Sequence, residues 1–224
     1  MERYTKLLMS KIILITRPNH DLITTYLFEW SQFVIDEAIR KNFKVLDLSG
    51  KRANKKDFAS YVLKNDPILL FFNGHGNEDV IAGYDNKLLV SINENTNLLK
   101  RKIIYARSCD AANNLGELCI KNGTIAFVGY KKKYSIAYTH SGSSHPLKDQ
   151  IAKLFIEPSN LIPISLLKGN SVKDAYRKSQ EAMSRNFSFM LSTRATQAER
   201  DAAPYLWINK KYQVVLGDSE AKIN

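Results

Sequence analysis

Long apolar runs are missing from this chain. The longest, IILI (12–15) and ILLFF (68–72), fall far short of the roughly 20 apolar residues that a membrane-spanning helix takes, so no membrane contact is expected. Cysteine is scarce: Cys109 and Cys119 are the only two in 224 residues. Two thiols do not make a disulfide framework, and reduced cysteines fit a cytoplasmic protein. Glycine and proline number 10 and 6, with no Pro/Gly/Ser-rich linker, no low-complexity tract and no repeat at solenoid periods. A hydrophobic share of 44% in so uninterrupted a chain predicts one domain over residues 1–224. The opening MERYTKLLMSKIILIT is mildly basic, but Lys11 breaks its apolar part and no small-residue cleavage site follows. It reads as the lead-in to a strand and not as a signal peptide.

Acid is outnumbered. Lys and Arg total 33 against 22 Asp and Glu, a formal charge of +11. The cations fall in scattered clusters, KRANKK (51–56), KRK (100–102) and KKK (131–133). Such charge favours solubility and acidic partners. The interleaved aromatics and motifs of nucleic-acid binding are absent, so the surface reads as solvated and direct nucleic-acid binding is not expected. A nucleotide site also lacks its signature: NGHGNED (73–79) has no third glycine of a dinucleotide fingerprint, and no P-loop pattern occurs.

What is present alternates strand with helix. KIILITRP (11–18), FKVLDLSG (43–50), PILLFFNG (67–74), KIIYARSC (102–109) and TIAFVGY (124–130) read as strands. Between them, NHDLITTYLFEWSQFVIDEAIRKN (19–42) carries Leu22, Tyr26, Trp30, Phe33 and Val34 at helical spacing. KKDFASYVLKND (55–66) is a short helix stopped by Pro67, and NLGELCIKNG (114–123) ends in an Asn-Gly cap. PLKDQIAKLFIE (146–157) and SVKDAYRKSQEAMSRNF (171–187) are two further helices, the second opened by the Ser171/Asp174 capping pattern. PYLWINKKYQVVLGD (204–218) reads as a closing strand or hairpin. Apolar strands without alternation, separated by helices, predict a mainly parallel sheet covered on both faces.

In such sheets ligands bind beyond the carboxyl ends of the strands. The third strand runs into His75 and the fourth into Cys109. An imidazole and a thiol on neighbouring strand tips suggest a general base and its nucleophile. Gly74 and Gly76 let the backbone turn and approach a ligand. The amide of Gly76, with that of Cys109, offers two donors for the oxyanion of an attacked carbonyl. A thiol with a pKa of about 8.5 needs only modest help near neutrality, so a third residue is not required. Cys119, on one helical face with Leu115 and Leu118, reads as core.

These residues resemble the caspase-like (clan CD) cysteine peptidases, in which one apolar strand ends in His-Gly and a later one in Cys, here ILLFFNGHG and KIIYARSC. Within that clan the chain looks most like the CHAT domain (caspase HetF associated with TPRs). LGELCIKNGTIAFVGY, LLKGNSVKDAYRKSQEAM with its Gly-x-Ser start, and the closing PYLWINKKYQVVLGD are similar to CHAT segments, so the likeness runs from about residue 11 to 218. It implies an α/β caspase-like (caspase-hemoglobinase) sandwich and a cysteine endopeptidase acting on protein substrates. His75 would be the base and Cys109 the nucleophile; Gly76 and Cys109 would supply the oxyanion amides. No cofactor or metal is implied. CHAT proteins carry TPR or sensor modules that are lacking here, which points to a separate activator or sensor protein, or to processing by another protease. A regulated effector in a bacterial signalling or defence pathway follows from the analogy. The alternative is an inactive caspase-like scaffold that binds a protein partner. SCDAANN after the nucleophile departs from the usual CHAT wording.

Arg107, two before Cys109, falls on the same strand face and borders the substrate pocket in relatives. A guanidinium there suits an acidic residue before the scissile bond, unless it pairs with Asp79, Asp85 or Asp110. Arg107, Asp79 and Asp110 are thus the candidate pocket residues; Glu78 and Asp79 could line the pocket and favour a basic residue, or stand as solvated loop acids. KKKYSIAYTHSGSSH (131–145) is expected to be a loop beside the site. Its Gly142, Ser143 and Ser144 mark a flexible stretch and a possible processing site. His140 and His145 lack the acidic or thiol companions of a metal site.

Overall fold

The computed structural model describes residues 11–139 and 141–223. The lead-in expected over residues 1–10, and His140, lie outside them. Six strands form one sheet in the order β2-β1-β3-β6-β7-β8: β1 (Ile12–Arg17), β2 (Lys44–Ser49), β3 (Leu69–Asn73), β6 (Ile103–Arg107), β7 (Ala126–Tyr130) and β8 (Gln213–Gly217). The first five are parallel and β8 runs antiparallel to β7.

The strand sequences explain why both faces are covered. Ile13 and Ile15 of β1, and Leu69 and Phe71 of β3, enter one apolar core. Their neighbours Leu14, Leu70 and Phe72 enter another on the opposite face. Side chains alternate across a strand, so a continuous apolar run fills two cores at once. The first core packs under α1 (Leu22–Trp30), α2 (Gln32–Arg40), α5 (Gln150–Leu167), α6 (Val172–Met190) and α7 (Gln197–Tyr212). The second packs under α3 (Lys55–Asn65), α4 (Asn114–Lys121) and a hairpin of β4 (Val80–Ala82) and β5 (Leu88–Ser91). Cys119 is fully buried in that second core, as expected.

Three local expectations need correction. The helix expected over 19–42 is two helices, broken where Ser31 ends α1 and starts α2. The helix expected over 146–157 runs on to Leu167 through Pro158 and Pro163. In the closing segment only Gln213–Gly217 is strand, because residues through Tyr212 belong to α7, started by a Thr196/Glu199 capping box. The hairpin β4–β5 was not anticipated from the sequence. It folds back across β3's exit, and Gly76 bridges to Ile81.

The order of the strands places the functional edge. From β1 the chain moves outward to β2, then returns to β3 on β1's other side. The crevice between the diverging connections after β1 and β3 is the place where open α/β sheets bind ligands.

Candidate active site

Asn73 of β3 is paired in register with Arg107 of β6, so His75 and Cys109, each two positions further on, leave adjacent strand tips at the same level. Both line one cavity of about 360 Å³, together with Ile23, the segment Lys133 to Ala137, and Tyr205. The expected loop over 131–145 does border the site. Its first part has no regular secondary structure, and it drops Tyr134 and Ile136 into the core. Ser141–Ser144 forms a short 3-10 turn.

The glycines around His75 do different things. Gly74 has φ +143°, a conformation L side chains rarely adopt, and a Cβ there would lie 2.8 Å from the Ala82 carbonyl. Gly76 has no room instead: a Cβ would come within 2.1 Å of Ser108 Oγ and 2.5 Å of the Val80 carbonyl. The His75 carbonyl accepts from the Ala82 amide and from Ser108 Oγ, each at 2.9 Å. Ser108, one residue before Cys109, thus ties the two tips together. Around the Gly76–Ile81 bridge the flanking bonds are Ala82 N–H to His75 and Asn77 N–H to Val80. That pattern leaves the Gly76 N–H directed away from β4.

A residue missed in the sequence completes the site. Asp21, in the connection after β1, caps α1 with one carboxylate oxygen, accepting from the Thr24 amide at 2.8 Å and the Thr24 hydroxyl at 2.9 Å. Its other oxygen lies 2.6 Å from His75 Nε2. A carboxylate only accepts, so the His75 proton sits on Nε2 and the lone pair on Nδ1. Burial alone would raise the Asp21 carboxyl, but the bonds from Thr24 and His75 outweigh it and hold it below the usual value. Asp21 stands 54 positions from His75, so local spacing gave no signal. The available clue was the rule that loops after neighbouring parallel strands converge.

Cys109 is half-buried, its Sγ 3.8 Å from the Tyr134 carbonyl. Burial pushes its thiol above the ordinary value; the Tyr134 backbone and Lys133 pull the other way, and the Asp110 carboxylate adds to the rise. Among the described residues no hydrogen bond joins Sγ to His75.

The other expected pocket residues lie elsewhere. Arg107 is fully buried and does not line the cavity. It donates to Asn73 Oδ1 at 2.7 Å, Asn160 Oδ1 at 2.8 Å, Ser31 Oγ at 2.9 Å and Ser159 Oγ at 3.2 Å, and stacks on Phe71. It reaches neither the cavity nor Asp79, Asp85 or Asp110, because β6 ends at Arg107 and the strand rule that aligned it with Cys109 ends there too. Asp79 accepts from Asn114 Nδ2 at 2.9 Å, outside the cavity lining. Asp110 has φ +57° and follows Cys109 without lining the cavity. His145 lines a separate cavity with Asp149 and Thr139.

No family model matches the chain, and no curated protein matches it in sequence. Solved structures do match. One is gingipain R, described as an Arg-specific cysteine proteinase, with TM-score 0.63 and 10% identity over 96% of this chain and 48% of that one. Another is the complex of the pro- and mature domains of Porphyromonas gingivalis RgpB, with TM-score 0.56 and 12% identity over 94% and 47%. The chain spans about half the length of the solved chains it matches. The likeness is one of fold: a caspase-like α/β sandwich with a mainly parallel central sheet, as expected from the motifs. The CHAT resemblance of those motifs has no counterpart among these matches.

Proposed function

We propose that this chain is a cysteine endopeptidase in which Cys109 attacks the peptide carbonyl and His75 is the general base. One observation carries this: the thiol and the imidazole face one cleft at the carboxyl edge of the sheet, with Asp21 fixing the imidazole so that Nδ1 holds a free lone pair. Nδ1 takes the thiol proton as the carbon–sulfur bond forms, and the carbonyl π electrons move to its oxygen. The Gly76 and Cys109 amides hold that oxyanion, each donor being worth about 2.7–4 kcal/mol in comparable acyl transfers. The tetrahedral adduct collapses, its carbon–nitrogen bond breaks, and His75 returns the proton to the leaving amine. Water then cleaves the thioester with His75 again as base.

The lining bears on substrate choice. Ile23, Tyr134, Ile136, Ala137 and Tyr205 are apolar or aromatic, Lys133 is a cation, and no acidic residue is among those lining the cavity. A basic substrate residue would find no partner there, so an acidic or neutral residue before the scissile bond is favoured. The motif resemblance to CHAT domains supports reading it as a regulated effector of a bacterial signalling or defence pathway, acting on proteins and switched by a separate activator or sensor.

The test is thiol labelling with peptide acyl-electrophile probes carrying Asp, Asn, Lys or Arg before the warhead, on wild type, Cys109→Ala and His75→Ala. Labelling should vanish in Cys109→Ala, weaken in His75→Ala, and favour Asp or Asn. Preference for Lys or Arg would refute the pocket assignment. No labelling of the wild type by any probe, with or without a candidate activator, would leave a caspase-like scaffold and overturn the proposal.

A further inference from the structure

His20, Asp21 and His75 each bring one ligand atom to within 4.8 Å of the other two. Asp21 Oδ2 stands between the rings, 2.6 Å from His75 Nε2 and 3.5 Å from His20 Nε2. Tetrahedral zinc, with bonds of about 2.0–2.1 Å to nitrogen and oxygen, has ligands roughly 3.3 Å apart, so small side-chain turns would meet its geometry. Asn86 Oδ1, 3.2 Å from His20 Nε2, adds a neutral oxygen at the rim.

His20 has no role in the chemistry described above. Its side chain is 9% exposed, packed edge-on against the Tyr84 ring, and its Nδ1 has no hydrogen-bond partner among the described residues. The nitrogen that faces the site is the other one, Nε2, which is turned toward a carboxylate, a second imidazole and a neutral amide oxygen, while Nδ1 is left to carry the ring proton. Two imidazole nitrogens and one carboxylate oxygen form a borderline donor set that suits Zn²⁺, whereas Mg²⁺ and Ca²⁺ want oxygen alone.

We infer that His20, Asp21 and His75 form an inhibitory zinc site that switches the peptidase off from behind its catalytic histidine. The inhibitory part rests on the function proposed above; the binding part does not. Zinc on His75 Nε2 displaces the proton from that atom, and the neutral ring then carries it on Nδ1. The lone pair that would accept the Cys109 proton is gone, while the substrate cleft itself stays open. The ion also withdraws Asp21 from its bond to His75. No net proton need be released, since the displaced proton stays on the same ring.

The binding test uses Cys109→Ala protein, which removes the thiol as a competing ligand, titrated with Zn²⁺ against a zinc-binding dye and separately with Mg²⁺. One Zn²⁺ should be taken up per chain and no Mg²⁺. In the same background His20→Phe, which keeps a ring against Tyr84, should weaken uptake at least as much as losing an outer-shell partner does, about 10–100-fold; His75→Ala should do the same. Unchanged uptake in folded His20→Phe would overturn the site. So would uptake that requires Cys109, since the ion would then sit on the Cys109–His75 pair. With active enzyme, Zn²⁺ should slow cleavage, and His20→Phe should need at least ten times more for the same fractional loss relative to its own metal-free rate. Equal sensitivity would overturn the inhibitory role. A wild type without any peptidase activity would refute the function and leave the titration to decide the site on its own.

Discussion

Replacing Asp21 by asparagine separates the two jobs of its carboxylate. Oδ1 caps α1 through Thr24, and Oδ2 orients His75. Asparagine caps a helix about as well as aspartate, so the fold should hold: thermal unfolding should move little. The bond to His75 is another matter. A hydrogen bond to a charged group is worth about 1.5–3 kcal/mol. The side chains of His75 and Asp21 are 39% and 35% exposed, and water weakens exposed pairs, so the lower end applies, about 1.5–2 kcal/mol. At 1.36 kcal/mol per factor of ten, kcat/KM should fall roughly 10- to 30-fold, mostly in kcat because the imidazolium forms only as the thiol proton is transferred. A pH profile adds a second signature. The Asp21 carboxyl lies below its ordinary value in the folded protein. Its stabilising contribution is therefore complete above the ordinary carboxylate pKa and is lost as pH falls through the folded one. That acid-side loss should be absent in Asp21→Asn. Unchanged kcat/KM at equal stability would refute the orienting role, and so would a loss no larger than the drop in folded fraction.

Two further outcomes follow from burial. Thiol titration should find one reactive cysteine in the native protein and two after denaturation, because Cys119 is fully buried with its thiol pushed up to about 12 by desolvation. Both thiols are raised on folding, so the stability they contribute is complete below their ordinary value and declines as pH rises through the folded one; native Cys119 labelling at neutral pH would contradict this. Arg107→Ala should lower the urea unfolding free energy by about 2–6 kcal/mol. The Ser31 and Ser159 hydroxyls keep backbone carbonyls as partners, whereas Asn73 Oδ1 and Asn160 Oδ1 lose their donor, at about 1–3 kcal/mol for each stranded group. A loss under about 1 kcal/mol would mean that water or a rotated amide replaces the guanidinium.

The parts of this fold legible in the sequence are those that local pattern controls. ILLFF and KIIYA have to be buried on both faces, and the parallel sheet follows. The meeting of His75 and Cys109 at one cavity was legible for the same reason, since each follows the end of one of two paired strands. The hairpin β4–β5 was not, because strands of three and four residues around Asp85 and Asn86 carry too little apolar pattern. The segment PYLWINKKY looked extended because tyrosine, tryptophan and isoleucine favour strands. Yet its helix was announced upstream by Thr196 and Glu199, a capping box in plain view. Tertiary context decided there, and a signal at the helix start outweighed side-chain propensity in its last turns.

Arg107 and Asp21 mark the limit from opposite sides. Arg107 was placed in the pocket by a two-residue alternation that is valid only inside a strand, and β6 stops at Arg107 itself. From there the chain turns, with Asp110 at φ +57°, and the arginine is left beneath the cleft and not in its wall. It still serves the site at one remove, because its donors join Asn73, two before His75, to the helices under the sheet. Asp21 was overlooked because a single ordinary role, the cap of α1, accounts for an aspartate at that position. A carboxylate has two oxygens, and only the sheet order β2-β1-β3-β6 brings the second one to His75. The same convergence sets His20 beside them. The topological switch at β1 therefore does more than open a crevice: it delivers from one short connection both the carboxylate that holds His75 and the second imidazole of the proposed zinc site.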